Sequence, residues 1–178
     1  MVALGLNKMH QNQVLHRDIK SDNILSDSSG NVKIADAGLS ALLTYERKER
    51  HTQNGTILWM SPEIMQGKPY SKEIDVWSYG CYAYELATGK PPFSNLSSDR
   101  ERFQAVLYFE PEPIGDSWSS DFSDFINMCL IKDSTKRWTI KQLLEHPFLK
   151  NMDVSACKTA FMEEYKAFKE NGNHLIIP

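Results

Sequence analysis

The chain has 178 residues, 41% of them apolar and 24% charged, a composition that supports one packed core and excludes a disordered or fibrous polymer. A formal net charge of −3 excludes a general polyanion-binding surface, whether for nucleic acid or for an acidic membrane. Cys81, Cys129 and Cys157 lack CxxC spacing, which excludes a disulfide framework and a zinc site and points to a reducing, cytoplasmic or nuclear location.

Short segments fill the first 70 residues. Leu4, Leu6 and Met9 read as the last turns of a helix, VLHRD as a strand entering a loop, and NVKIAD as a second strand after the turn DSSGN. Helices follow. SKEIDVWSYGCYAYELATG opens on Ser71 and Glu73 as an imperfect capping pair and stops at Gly89, ahead of Pro91 and Pro92. SDFSDFINMCLIKD and TIKQLLEHPFL repeat apolar residues at spacings of three and four. The last segment, 154–171, puts Cys157, Phe161, Tyr165 and Phe168 on one helical stripe with Gly172 as its stop, and such a stripe is expected to pack onto the domain. No stretch approaches the roughly 20 apolar residues of a membrane span, and MVALGLNKMHQ lacks a charged segment followed by a long apolar run, so export is not expected.

HRDIKSDN, residues 16 to 23, gathers a carboxylate, an ammonium and an amide into one loop, and Asp36 in IADAGL adds a second carboxylate thirteen positions after Asn23. An acid that accepts a hydroxyl proton, a lysine that offsets phosphoryl charge, and an amide and a carboxylate that hold divalent ions are the parts phosphoryl transfer needs. Alone, either aspartate reads as a turn cap. Together, the set resembles the protein kinase family, whose catalytic loop reads HRDxKxxN and whose metal loop reads DFG, here DAG. The resemblance runs on in order through GTILWMSPE, DVWSYG and KRWT. VLHRDIKSDNIL, GTILWM and LLEHPFLK are most similar to the STE group of serine/threonine kinases, the branch of the PAK-like enzymes.

This resemblance implies a mainly α-helical fold, the kinase C-lobe, with short strands at the catalytic and metal loops. Residues 1–150 would form a partial kinase domain, and 151–178 a C-terminal extension of an amphipathic helix and tail. Asp18 is expected to orient the substrate hydroxyl and take its proton, and Lys20 to meet the γ-phosphate of ATP. Asn23 and Asp36 are expected to hold Mg2+, and Leu25 to support the adenine. Thr56 would line the substrate loop, its partner being a protein bearing a serine or threonine acceptor. Arg17 would sense a phosphorylated activation loop, with Thr52 as the modified residue, Thr44 as the alternative, and an upstream kinase as a further partner. His16, Asp75, Glu63 and Arg137 are expected to be structural, the last two as a buried ion pair. The basic run ERKER at 46–50 reads as a solvated loop.

Two departures from the family pattern stand out. Ala37 replaces the DFG phenylalanine, removing a large apolar side chain that would pack beneath the regulatory helix of the upper lobe. No GxGxxG loop and no VAIK lysine occur, so the strands, lysine and hinge that cover ATP are expected to lie outside this sequence. The chain thus reads either as a serine/threonine kinase in truncated form or as a catalytically silent scaffold that docks peptides through the region of Phe93 to Phe109.

Overall fold

The computed structural model of the chain describes residues 1–27, 29–44, 50 and 56–170, with only the backbone given for Lys169. Helix α1 (Val2–Gln11) buries Val2, Ala3, Leu6 and His10 on one face. The chain then turns through Gln13, at φ +61°, into strand β1 (Val14–Leu15). β1 pairs antiparallel with β4 (Ala41–Leu42), and β2 (Ile24–Ser26) pairs antiparallel with β3 (Val32–Ile34) in the register Ile24 to Ile34. Between β2 and β3 the Asp27 carboxylate accepts the amides of Ser29 and Asn31 at 2.9 and 3.0 Å, which fixes the turn. The residues 16–23 are therefore bracketed by two small sheets, one on each side in sequence.

Everything else described is helical or irregular: α2 (Pro62–Met65), α3 (Glu73–Thr88), α4 (Asp99–Tyr108), α5 (Ser120–Cys129), α6 (Ile140–Leu144), α7 (Pro147–Lys150) and α8 (Val154–Glu170). The result is mainly α, as the sequence implies. α3 runs through the core with Ile74, Val76, Trp77, Cys81 and Ala83 all buried, because its apolar residues occupy more than one face. Gly80 lets α5 come close: a Cβ there would lie 2.5 Å from Cys129 Cβ. α3 stops at Gly89, which adopts φ +78° in the left-handed region.

Several local expectations need correction. Ser71 and Glu73 do not cap α3; its N-cap is Lys72, which makes no side-chain cap bond. The capping boxes lie at Ser98 with Glu101 before α4 and at Thr139 with Gln142 before α6. TIKQLLEHPFL is two helices, since Pro147 cannot donate a backbone bond and His146 Nδ1 instead accepts the Phe148 amide at 3.2 Å. On α8 most of the expected core stripe faces solvent: Cys157 is exposed, Phe161 and Phe168 are 41% and 42% exposed, and of the four only Tyr165 is half-buried. The half-buried face is Lys158, Met162 and Tyr165, with Lys158 Nζ donating to Asn31 Oδ1 at 2.6 Å and Met162 lying over Gly30.

Candidate active site

Residues 16 to 23 have little regular structure of their own, so distant groups hold them. The principal one is Asp75, 1% exposed in the first turn of α3. Its Oδ2 accepts the His16 amide at 2.9 Å and its Oδ1 the Arg17 amide at 2.8 Å. Arg17 sits at φ +71°, a strained conformation for a residue with a side chain, and the two bonds to Asp75 span that position. Buried His16 makes a second brace. Its Nδ1 accepts the Asp18 amide at 3.3 Å and its Nε2 therefore donates to Ala35 O at 3.0 Å, tying the loop to the end of β3.

Asp18 emerges from this frame buried, with both carboxylate oxygens engaged. Thr56 Oγ1 donates to Oδ1 at 2.9 Å; Asn23 Nδ2 donates to Oδ2 at 3.1 Å and to the Asp18 carbonyl at 2.8 Å. Lys20 Nζ donates to Thr56 Oγ1 at 3.1 Å and stands 3.4 Å from Asp18 Oδ2. Asp18, Lys20, Asn23 and Thr56 thus form one continuous network. Each carboxylate oxygen keeps acceptor capacity beyond these bonds, so the group can receive a further hydroxyl donor.

Asp36 reaches the network through the backbone: the Ala35 amide donates to Asn23 O at 2.8 Å, placing Asp36 one residue beyond that bond. Asp36 is exposed at φ +55°, and its Oδ1 accepts the Gly38 amide at 3.0 Å. As a test of fit for Mg2+, Asn23 commits its NH2 to Asp18, and its oxygen accepts no hydrogen bond among the described residues. That oxygen and the exposed Asp36 carboxylate are hard donors of the kind Mg2+ prefers. Among the described residues no three His, Cys, Asp or Glu side chains cluster into a metal cage.

The remaining expected residues fall around this centre. Leu25 is 53% exposed on β2, an open apolar surface beside Asn23. Arg17 Nε donates to Leu39 O, and its Nη1 to Tyr70 Oη at 3.4 Å. Glu63 and Arg137 form a buried bidentate pair at 2.6 and 2.9 Å, and the guanidinium stacks over Trp77 with its carbon 5.1 Å from the ring centroid. This pair ties α2 to the segment before α6. Ala37 is exposed on the 3₁₀ turn Ala37–Leu39, and Thr44 is exposed after β4. Thr52 and residues 46–49 of the basic run lie outside the described residues.

Two residues absent from the sequence reading belong to the site's support. Glu85, near the end of α3, accepts a hydrogen bond from Ser21 Oγ at 2.9 Å. Burial pushes its carboxyl above the ordinary range, and Asp22 adds to this, against the opposing pull of the Ser21 hydroxyl. His10 on α1 places Nε2 2.8 Å from Asp75 Oδ2, completing that carboxylate's coordination. Neither has a local signature: a polar residue near the end of an apolar helix and a lone histidine on a buried face both read as ordinary.

Comparison with known proteins gives the same direction. The protein kinase domain model matches residues 1–149. The chain is 44% identical over 151 residues to the serine/threonine-protein kinase pakA of Dictyostelium discoideum, covering 84% of this chain and 12% of that protein. It is 43% identical over 151 residues to the serine/threonine-protein kinase sid1 of Schizosaccharomyces pombe, 84% of this chain and 32% of that protein. To pakB of Dictyostelium discoideum it is 42% identical over 169 residues, 92% of this chain and 19% of that protein. The chain therefore spans a third or less of the length of these relatives. With its helical architecture and the network centred on Asp18, the chain belongs to the protein kinase family, in its serine/threonine branch and among the STE-type enzymes.

Proposed function

We propose that this chain carries the phosphoryl-transfer half of a serine/threonine protein kinase that uses ATP and Mg2+. The network of Asp18, Thr56, Lys20 and Asn23 is the observation that supports the reading. Asp18 accepts the hydroxyl hydrogen of a substrate serine or threonine and aims its oxygen, using the acceptor capacity its carboxylate keeps beyond the Thr56 bond. Thr56 lies on the substrate side, and its hydroxyl keeps Asp18 and Lys20 in register. Lys20 carries a fixed positive charge beside the acid, where it offsets charge on the transferred phosphoryl group. Asn23 and Asp36 hold the metal, which when bound neutralises the nucleotide phosphates. Arg17 serves as the sensor of a phosphorylated Thr52, whose modification by an upstream kinase belongs to the same reading.

Residues 1–150 act as the C-lobe and 151–178 as an extension, with the upper cover of the nucleotide supplied from outside these residues. Cytoplasmic or nuclear location is part of the proposal, since Cys81, Cys129 and Cys157 are all free thiols. No helix among the described residues is long and apolar enough to cross a membrane.

A second reading, a peptide-docking scaffold, draws on the groove of about 850 Å³ between the end of α3 and α4, lined in part by Phe93, Leu96, Ala105 and Phe109. The two are separated by joining the chain to the upper lobe of a PAK-type relative and supplying radiolabelled ATP, Mg2+ and a basic protein substrate. Label on serine or threonine is the expected result. A folded, ATP-binding fusion that transfers none would favour the scaffold.

A further inference from the structure

The groove of about 850 Å³ beside α4 is followed by a second hollow of about 210 Å³, between the segment after α4 and α5. Tyr84 and Glu112 line both, so the two share a wall and make one trough. Pro91, Phe93, Leu96, Ala105 and Phe109 make its first part apolar, and Phe109 is 64% exposed there. Phe93 adopts φ +60°, a left-handed conformation that is an outlier for a bulky side chain, and such strain concentrates at ligand clamps. Lys132 Nζ stands 5.9 Å from the Phe93 ring and donates to the Val106 and Phe109 carbonyls at 3.0 and 2.7 Å, so one half-buried cation ties Phe93 to the end of α4.

Charge is sorted along this trough. Arg100 lines it at the first turn of α4, and Glu110 and Glu112 line it just past the last turn, about 15 Å further along the helix. Between residues 103 and 131 the chain holds five acids and no lysine or arginine, which outweighs the net −3 of the whole chain. Glu112, and Asp116 in the second hollow, form no ion pair among the described residues. Glu110 has Lys132 at 3.9 Å, but that ammonium is committed to two carbonyls. Glu110 precedes Pro111 and Glu112 precedes Pro113, which holds both acids extended, and a spacing of two puts their side chains on one side about 7 Å apart. The prolines have no amide hydrogen to offer, so this segment recognises a partner through its side chains and not by strand pairing.

We propose that this trough docks an extended peptide segment of a partner protein, its aromatic anchor seated against Leu96 and Phe109 and two arginines, one residue apart, paired with Glu110 and Glu112. The apolar part favours a ring that leaves water. The two carboxylates set a register that alternate residues of an extended chain match, and planar guanidiniums meet them bidentately. A nucleic acid or an anionic lipid surface is repelled by the same acids. The proposal gives the groove of the scaffold reading a partner chemistry. Its probe carries no hydroxyl to phosphorylate, so docking here and label transfer by the fusion fail separately.

The probes are fluorescein-labelled Phe-Ala-Arg-Ala-Arg-Ala and its reverse order, Ala-Arg-Ala-Arg-Ala-Phe, read by fluorescence anisotropy against the full 178-residue chain. The tighter of the two is expected to bind with a Kd of about 100 μM at low salt. Replacing its Phe by Ala, or both Arg by Gln, should each weaken binding about tenfold. On the protein, Glu110→Lys combined with Glu112→Lys should weaken it about tenfold, Glu112→Lys alone about threefold, and Phe109→Ala about fivefold. Asp22→Lys, at an exposed acid on the loop of Asp18, should leave the Kd within about twofold. All four replaced side chains are exposed, and unfolding midpoints check that the variants keep the parent fold. Neither order binding more tightly than about 1 mM, equal binding by the peptide lacking Phe, undiminished binding by the double variant, or loss of binding through Asp22→Lys would overturn the proposal.

Discussion

Asp75 and Arg17 are 58 residues apart in sequence, yet the buried Asp75 carboxylate accepts the amide of half-buried Arg17 at 2.8 Å. The bond joins the central helix to a loop residue at φ +71°. Asp75→Asn keeps the shape but turns an NH2 toward a backbone donor, so one amide loses its acceptor. A destabilisation of about 3 kcal/mol is expected, together with faster hydrogen exchange at His16 and Arg17. Urea unfolding and amide exchange measure both, and unchanged exchange at the two amides would show that the loop holds itself.

Gly80 sets the spacing of α3 and α5. A methyl group there meets Cys129 Cβ at 2.5 Å and Leu130 Cδ2 at 2.9 Å, so Gly80→Ala should cost about 1 to 3 kcal/mol through overpacking despite alanine's better helix propensity. Adding Cys129→Ala should not restore stability, because the offending Cβ remains. Thermal unfolding of the single and double variants decides this, and full recovery in the double variant would count against the close approach.

Glu85 gives a pH dependence with a definite sign. Its carboxyl is raised by burial, so folding penalises the charged form, and that penalty is complete above the folded value. As pH falls through the raised folded value toward the ordinary 4.5, the penalty disappears. Glu85→Gln retains an acceptor for Ser21 and should therefore be more stable than the parent near pH 7, with the gap closing below about pH 4.5. Denaturation midpoints across pH 4 to 8 test it; a gap that widens toward acid would reverse the argument.

The chain by itself should bind ATP weakly and transfer no phosphate. Leu25 offers one exposed apolar surface to an adenine, and no glycine-rich loop within these residues fixes the γ-phosphate in line with a hydroxyl. Positioning supplies most of the rate in this reaction class. Magnesium–ATP calorimetry on residues 1–178 should show no micromolar site; a micromolar Kd would mean that this half of the nucleotide site suffices.

How much of this was legible beforehand differs by element. α3 could be read from its apolar run and from Gly89, whose left-handed backbone is a local requirement. Its start could not, because Ser71 and Glu73 carry capping chemistry at a spacing that does not close, and only the backbone decides that Lys72 is the N-cap. α8 was legible as a helix but not in orientation, since Lys158 and Met162 are chosen by the turn at Gly30 and Asn31. β2 went unread because Ile24–Ser26 is recognisable only through its pairing with Val32–Ile34. The residues of the loop from His16 to Asn23 were identifiable by type and order, whereas His10 and Glu85 join the site through contacts 65 and 64 residues distant in sequence. No window along the chain contains those contacts.

The central claim is that Asp18 receives and aims the substrate hydroxyl, and one comparison tests it most directly. The chain fused to an upper lobe from a PAK-type relative should be assayed for phosphate transfer beside its Asp18→Asn counterpart, with unfolding midpoints measured on both. Loss of turnover by a factor on the order of 100 to 10,000, with the fold retained, is the predicted result. Turnover within about twofold of the parent would contradict the account and remove Asp18 from the mechanism.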